Sequence, residues 1–216
     1  MADLVLSNIC KQFGNQVLFQ DFSLKIEQGD FLSMMGESGT GKTTLLNIMG
    51  MLERPDSGTV SILGQKNPVF FSPAAVKLRR YKLSYLFQNY GLIETEDVMY
   101  NMRLVTHFKQ ISRKKECRII AGALEQVGLH GYEGRKVYTL SGGEQQRVAL
   151  AKVIAKSPQI VFADEPTGSL DEYNRNYVLE ILKELNRYGK TIVVVTHDPY
   201  FNACAKQQIR LKAKKM

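Results

Sequence analysis

The sequence has no tryptophan, six prolines in 216 residues and three cysteines. Cys10, Cys117 and Cys204 are odd in number, far apart and in no Cys-x-x-Cys or Cys/His spacing. That excludes a disulfide framework and a structural zinc site, and it reads as reduced thiols in a reducing compartment. No apolar run approaches the ~20 residues that cross a bilayer. The opening Met1-Ala2-Asp3-Leu4-Val5-Leu6-Ser7 lacks a basic stretch followed by an apolar one, so no secretory signal is expected. Work at a membrane would then require a spanning part from another chain. Repeats and low-complexity tracts are also missing, which excludes solenoids and disordered chains. What is present is ordinary for a globular protein, 44% hydrophobic and 23% charged. At ~150 residues per domain, the length favours one domain with a large insertion. Basic residues outnumber acidic ones, 29 to 21, a net charge of +8. Such a balance suits nucleic acid, an anionic membrane or a phosphate ligand, and alone does not choose among them.

The first third reads as strands at 4–6, 16–19, 22–26 and 31–35, punctuated by Phe13-Gly14-Asn15 and Glu27-Gln28-Gly29-Asp30. A helix follows at 42–52, with Leu45, Ile48, Met49 and Leu52 at helical spacing. Pro55-Asp56-Ser57-Gly58 is a turn before a strand at 59–63. Residues 72–156 look mostly helical and carry much of the basic charge. Two β-branched runs, 160–163 and 191–195, are continuous, as strands buried on both faces are. A helix at 174–188 between them makes a parallel βαβ unit. The basic tail 210–216 reads as a solvated end, with a membrane-surface or partner contact as the sharper alternative.

Gly36-Glu37-Ser38-Gly39-Thr40-Gly41-Lys42-Thr43 lies between a strand and a helix, the context a phosphate-binding loop requires. Its glycines let backbone N–H groups turn toward an anion, and the helix start adds its positive end. Lys42 is placed for the β- and γ-phosphates and the Thr43 hydroxyl for Mg²⁺. The run 160–163 ends in Asp164-Glu165, which delivers Asp164 beside the phosphates, where it can hold Mg²⁺. Glu165, one residue on, falls at the mouth of the site and suits a base that polarises water. Two acids capping a strand end would be unremarkable alone; the loop upstream decides for chemistry.

Leu140-Ser141-Gly142-Gly143-Glu144-Gln145-Gln146-Arg147 reads locally as a capping box, with Ser141 capping a helix and Glu144 three residues on. That helix start is also an anion site. With this run, the sequence resembles the ATP-binding subunits of ABC transporters over essentially its whole length. Residues 140–147 match the family signature, Gln88 in Leu86-Phe87-Gln88-Asn89 the Q-loop, Ser169-Leu170-Asp171 the D-loop, and His197 in Thr196-His197-Asp198 the switch histidine. Phe13 occupies the place of the aromatic that stacks on adenine.

The resemblance implies an α/β fold: a P-loop NTPase core (1–71 and 157–216) with a mostly parallel sheet, an N-terminal antiparallel β subdomain, and an inserted helical subdomain (72–156). It implies ATP bound by Phe13, Gly36, Glu37, Ser38, Gly39, Thr40, Gly41, Lys42, Thr43 and Thr44. Mg²⁺ is held by Thr43, Gln88 and Asp164, and turnover is carried by Glu165, His197, Gln88 and Lys42. Family members pair head-to-tail, so Ser141, Gly142, Gly143, Glu144 and Gln145 would act on the ATP of the partner copy, next to the D-loop Asp171.

Among ABC proteins, residues 36–43, 87–93 and 163–171 are most similar to the macrolide-efflux and lipoprotein-release type, including bacteriocin export or immunity systems. The sequence also ends soon after His197, without the extra C-terminal domain of many importers. These features imply a Mg-dependent ATPase, homodimeric or pseudo-symmetric on ATP, peripheral on the inner face of the cell membrane. Its partner would be a separate permease whose cytosolic helix docks near 90–100, where Tyr90, Leu92, Ile93, Val98 and Tyr100 read equally as contact or as core. A soluble ABC ATPase acting on ribosomes or nucleic acid is the alternative. It fits poorly, because the 122 residues between Lys42 and Asp164 leave no room for a coiled-coil insertion; no nucleic acid is expected. A binding-only module is disfavoured by Glu165 and His197.

Overall fold

The computed structural model describes residues 1–168 and 170–212. Ser169 of the expected D-loop and 213–216 of the basic tail lie outside the described residues. The chain opens with a hairpin of two long antiparallel strands, β1 (Ala2–Phe13) and β2 (Gln16–Glu27), closed at Phe13↔Gln16. The two strands expected at 16–19 and 22–26 are one, bent where Asp21 takes a positive φ of 53°. β4 (Ser57–Ile62) and the short β5 (Gln65–Lys66) complete a sheet in the order β2-β1-β4-β5.

The second sheet is parallel throughout. It contains β3 (Phe31–Gly36), β6 (Leu83–Leu86), β7 (Ile160–Asp164), β8 (Thr191–Val195) and β9 (Gln207–Leu211), in the order β6-β7-β8-β3-β9. Buried on both faces, β7 and β8 send alternate side chains to opposite cores. Ile160, Phe162, Val193 and Val195 pack with Leu45, Leu46, Ile48 and Met49 of α1 (Lys42–Met49) and with Leu4, Leu6 and Ile9 of the antiparallel sheet. Val161, Ala163, Ile192 and Val194 face the other way. There they meet α5 (Gly142–Lys156) and α6 (Glu172–Arg187). The same core takes in α3 (Val98–Thr106) and α4 (Arg113–Gln126).

Three expectations change. The segment 72–156 is not a contiguous helical insertion: after α2 (Pro73–Tyr81) it supplies β6 to the parallel sheet, and α5 packs on that sheet's face. Four apolar-polar residues were too short a run to reveal a buried strand. The helix expected at 42–52 stops at Met49, with Gly50 at its C-cap and Leu52 exposed. The tail does not begin at 210, because Arg210 and Leu211 pair with Met35 and Gly36 as β9 after the short α7 (Pro199–Cys204). Within 90–100 the alternatives divide: Val98 is fully buried and Tyr90 and Leu92 pack on the core, whereas Ile93 and Tyr100 are exposed. All three cysteines are free.

One polar feature of α5 is measurable. Lys152 Nζ donates to Gly91 O and Lys156 Nζ to Arg79 O, both at 2.8 Å. Desolvation pushes both ammonium groups down to about 8, Lys156 also through the Lys152 charge beside it. Unfolding returns them toward about 10.4, so between these values the unfolded chain binds more protons and stability rises with pH. Urea midpoints are expected to climb from about pH 8 to about pH 10, and Lys152→Met/Lys156→Met to flatten the climb. An equal slope in the variant contradicts the assignment.

Candidate functional site

Parallel strands two apart lie about 9.6 Å from each other, so the ends of β3 and β7 face one another across the end of β8. Register aligns them, with Val195 opposite both Met34 and Asp164. The loop leaving β3, the acids ending β7 and the histidine following β8 therefore meet over the carboxyl edge of the sheet, where open α/β folds bind ligands. A cleft of about 420 Å³ opens there, lined by Ser38, Gly39, Gly41, Lys42, Thr43 and Thr44, by Asp164 and Glu165, and by Phe13, Gln88 and His197.

α2, α3, α4, α5, α6 and α7 each have a side chain at the N-cap that accepts from a first-turn amide. α1 has none: its N-cap is Gly41, at φ 89°, without a side-chain hydrogen bond. Its first-turn N–H groups are left for an anion, and the helix dipole adds positive potential. Lys42, almost fully buried, curls back so that Nζ donates to Gly36 O at 2.7 Å and Glu37 O at 2.8 Å. Thr40 Oγ1 donates to Glu37 O at 2.9 Å and braces the same turn. Gly36, Glu37 and Thr40 thus shape the loop without lining the cleft.

Thr43 Oγ1 donates to Asp164 Oδ1 at 3.2 Å. Burial pushes the Asp164 carboxyl up, opposed by that hydrogen bond and by the Lys42 charge. Glu165 follows at a positive φ of 43°, held by its N–H on Val195 O at 2.9 Å. A non-glycine residue in this region is uncommon and sits where the surrounding structure enforces it. The turn aims the Glu165 carboxylate at His197: Oε1 is 3.3 Å from Nε2, and Oε2 accepts from the His197 backbone N–H at 3.3 Å. Burial pushes Glu165 up as well, Asp164 adds to the rise, and His197 and Lys42 hold it back.

The Thr43 hydroxyl and the Asp164 carboxylate, with the Gln88 amide in the same cleft, are oxygen donors of the kind that fits a hard divalent cation such as Mg²⁺. The uncapped amides and Lys42 fit phosphate. A family model described as ABC transporter matches residues 19–168.

The chain belongs to the ABC transporter family.

It is similar to the macrolide export ATP-binding/permease protein MacB of Campylobacter jejuni, 38% identical over 209 residues, covering 97% of this chain and 33% of that protein. MacB of Neisseria gonorrhoeae is 37% identical over 216 residues, 98% of this chain and 34% of that one. The chain spans about a third of the length of these relatives. Among solved structures, a dimeric post-hydrolysis state of the ATP-binding cassette MJ0796 bound to ADP and Pi superposes with a TM-score of 0.89 at 34% identity, covering 98% of this chain and 97% of that one. A dimeric structure of MJ0796 described as a bacterial ABC transporter cassette gives 0.90 at 36%, covering 97% and 94%. What matches is the ATPase cassette of an ABC transporter, with its P-loop NTPase fold.

The cassette's signature residues stand outside the cleft. Ser141 and Gly142 are exposed at the tip of α5. Ser141 Oγ accepts from Glu144 N at 3.3 Å, and Glu144 Oε2 accepts from Ser141 N at 2.8 Å, the expected capping box. That amide and the Tyr132 hydroxyl, 2.8 Å from Oε1, hold the Glu144 carboxyl below the usual range. Gln145 Nε2 donates to Leu140 O at 3.1 Å, and Asp171 caps α6. Phe13 is 51% exposed, with Lys11 Nζ 4.8 Å from its ring centroid.

Sequence reasoning missed Gln16, Leu18 and Val195 in the cleft. Positions 16 and 18 share a strand face, so alternation after the Phe13 turn could have placed them. It also missed Gln146, buried in α5 with Nε2 donating to Pro166 O at 2.9 Å, one residue after Glu165; sequence separation hides such a contact.

The close fit at Gly41 is testable. A Cβ there would lie 2.8 Å from Phe19 Cζ, at a φ that L residues reach at a cost of about 1–2 kcal/mol. Gly41→Ala is expected to lower unfolding free energy by at least that much in urea titrations. A variant as stable as the wild type contradicts the assigned loop conformation.

Proposed function

We propose that this cassette binds Mg-ATP in the cleft and hydrolyses it between two copies of the chain, driving a membrane permease for export or extrusion. The observation that carries this reading is the convergence on one cleft of the uncapped α1 terminus, Lys42, the Thr43–Asp164 contact and the Glu165–His197 pair. The MJ0796 structures, dimeric and in one case bound to ADP and Pi, support both the nucleotide and the pairing.

In this mechanism the α1 amides take the β- and γ-phosphates, and Lys42 trades its two carbonyl partners for phosphate oxygens. Thr43, Asp164 and Gln88 hold Mg²⁺, which neutralises phosphate charge when bound. Phe13 offers its open ring face to adenine. Glu165 accepts a proton as water oxygen bonds to the γ-phosphorus and the bond to the β–γ bridging oxygen breaks, releasing ADP and phosphate. His197 holds the Glu165 carboxylate in line and donates toward the γ-phosphate. The exposed tip Ser141–Gly143 closes over the partner copy's nucleotide, with Glu144 bracing Ser141 and Asp171 alongside.

The relatives are named for macrolide export, and each joins ATP-binding and permease functions under one name; that favours transport over action on ribosomes or nucleic acid. Among the described residues no helix is long and apolar enough to cross a membrane. We assign the cassette to the inner face of the membrane, against a permease that touches the exposed Ile93 and Tyr100 beyond Gln88.

Glu165→Gln is expected to cut turnover about 10²–10⁴-fold. The wild-type rate should fall with acid as pH drops through a Glu165 value raised by burial, since only the ionised carboxylate accepts the proton. Ser141→Arg alone should be nearly inactive. Mixing it with Glu165→Gln should restore activity, because in the mixed dimer one site combines an intact Glu165 with an intact Ser141 from the partner. Full activity of Ser141→Arg alone contradicts action across the dimer.

A further inference from the structure

The first turn of α6, directly after the D-loop, carries two adjacent side chains that the cleft does not use. Asn174 is one. Its backbone N–H donates to Asp171 Oδ1 at 2.8 Å, and Nδ2 donates to Asp171 Oδ1 at 3.0 Å and Oδ2 at 2.9 Å. Its amide oxygen accepts from Arg147 Nη1 of α5 at 3.1 Å. The approach is so close that a Cβ on Gly143 would stand 2.7 Å from Asn174 Nδ2; glycine in the signature is what admits the amide.

Arg175 is the other. Its guanidinium carbon lies 4.8 Å from the Tyr200 ring centroid, Nε 3.7 Å from Asp198 Oδ2, and Nη2 3.5 Å from Glu172 Oε1. Asp198 directly follows His197, caps α7 by accepting from Tyr200 N at 2.9 Å, and has a side chain only 9% exposed. Arg175 Nε, Asp198 Oδ2 and Arg147 Nε are buried without a hydrogen bond. Buried polar atoms in this state are uncommon and costly. At 3.7 Å the Arg175–Asp198 pair is loose, and a small shift of the His197 loop would close it into a charge-assisted hydrogen bond.

Consecutive helix positions point about 100° apart, so one turn can hold α5 with residue 174 and the His197 loop with residue 175. We propose that the first turn of α6 ties the His197 loop to the signature helix, with Asn174 and Arg175 as positioning residues. Nucleotide that draws His197 inward then sets the tip of α5 for the partner's site. The link rests on the ATPase reading above.

Arg175→Met keeps the stem on Tyr200 and removes the charge; Arg175→Lys keeps the charge. With Mg-ATP, Arg175→Met is expected to lower kcat about tenfold at an unchanged KM, and Arg175→Lys to recover part of the loss. The Asn174→Ala/Arg175→Met loss should be smaller than the product of the single losses, because both break one link. An unchanged kcat in Arg175→Met, or single losses that multiply in the double variant, overturns the proposal. Amide hydrogen exchange gives a readout without turnover. ATP should slow exchange at 36–44, 141–147 and 196–200 in the wild type, but at 36–44 and 196–200 without 141–147 in Arg175→Met; slowing at all three in the variant also overturns the link. If the wild type shows neither turnover nor slowing at 36–44, the ATPase reading itself has failed and the link falls with it.

Discussion

An unsatisfied helix end organises this molecule. Six described α-helices complete their first-turn amides with their own Ser or Asp; α1 leaves that work to whatever anion enters. Its capping position is glycine because the backbone there is left-handed and presses on Phe19. The buried Lys42 adds a cation to the same place. Two carboxylates, the buried Asp164 and the half-buried Glu165, then face that positive end across one strand, and their charge is tempered by Lys42, Thr43 and His197. A polyanion entering beside two carboxylates suits a divalent cation, and the Thr43 hydroxyl of α1 and the Asp164 carboxylate of β7, 3.2 Å apart, are oxygens that fit one.

In the proposed mechanism a second copy completes the site. The signature tip, with Ser141 and Gly142 exposed at the start of α5, stands outside the cleft. Its rigidity comes from within the chain: Glu144 locks Ser141, Tyr132 locks Glu144, Gln146 ties α5 to Pro166, and Asn174 ties it to Asp171. A tip held this firmly, yet exposed, is preorganised for a second molecule. In the proposed head-to-tail pairing each tip would have a phosphate to close on, and nucleotide binding would become a change of assembly that a permease could feel.

Much of this was legible in the sequence, for identifiable reasons. Continuous β-branched runs at 160–163 and 191–195 could only be strands buried on both faces, and the glycine loop at 36–41 had one structural context. Ser141 and Glu144 spelled out their cap. The losses also have causes. β6 is four residues long and paired to a strand 77 residues away, and β9 is a short, mostly polar run flanked by lysines, so neither carries a local signal. The contacts of Gln146 with Pro166, of Asn174 with Arg147 and of Arg175 with Asp198 are created by tertiary packing alone. The cleft residues Gln16 and Leu18 needed the hairpin register to be known first.

The most direct test of the shared site is the solution mass of the Glu165→Gln chain with and without Mg-ATP, followed by light scattering. Nucleotide should double the mass, and Ser141→Arg in the same background should abolish the doubling while ATP still binds. A Glu165→Gln chain that stays monomeric with ATP saturating its cleft would contradict a site built from two copies.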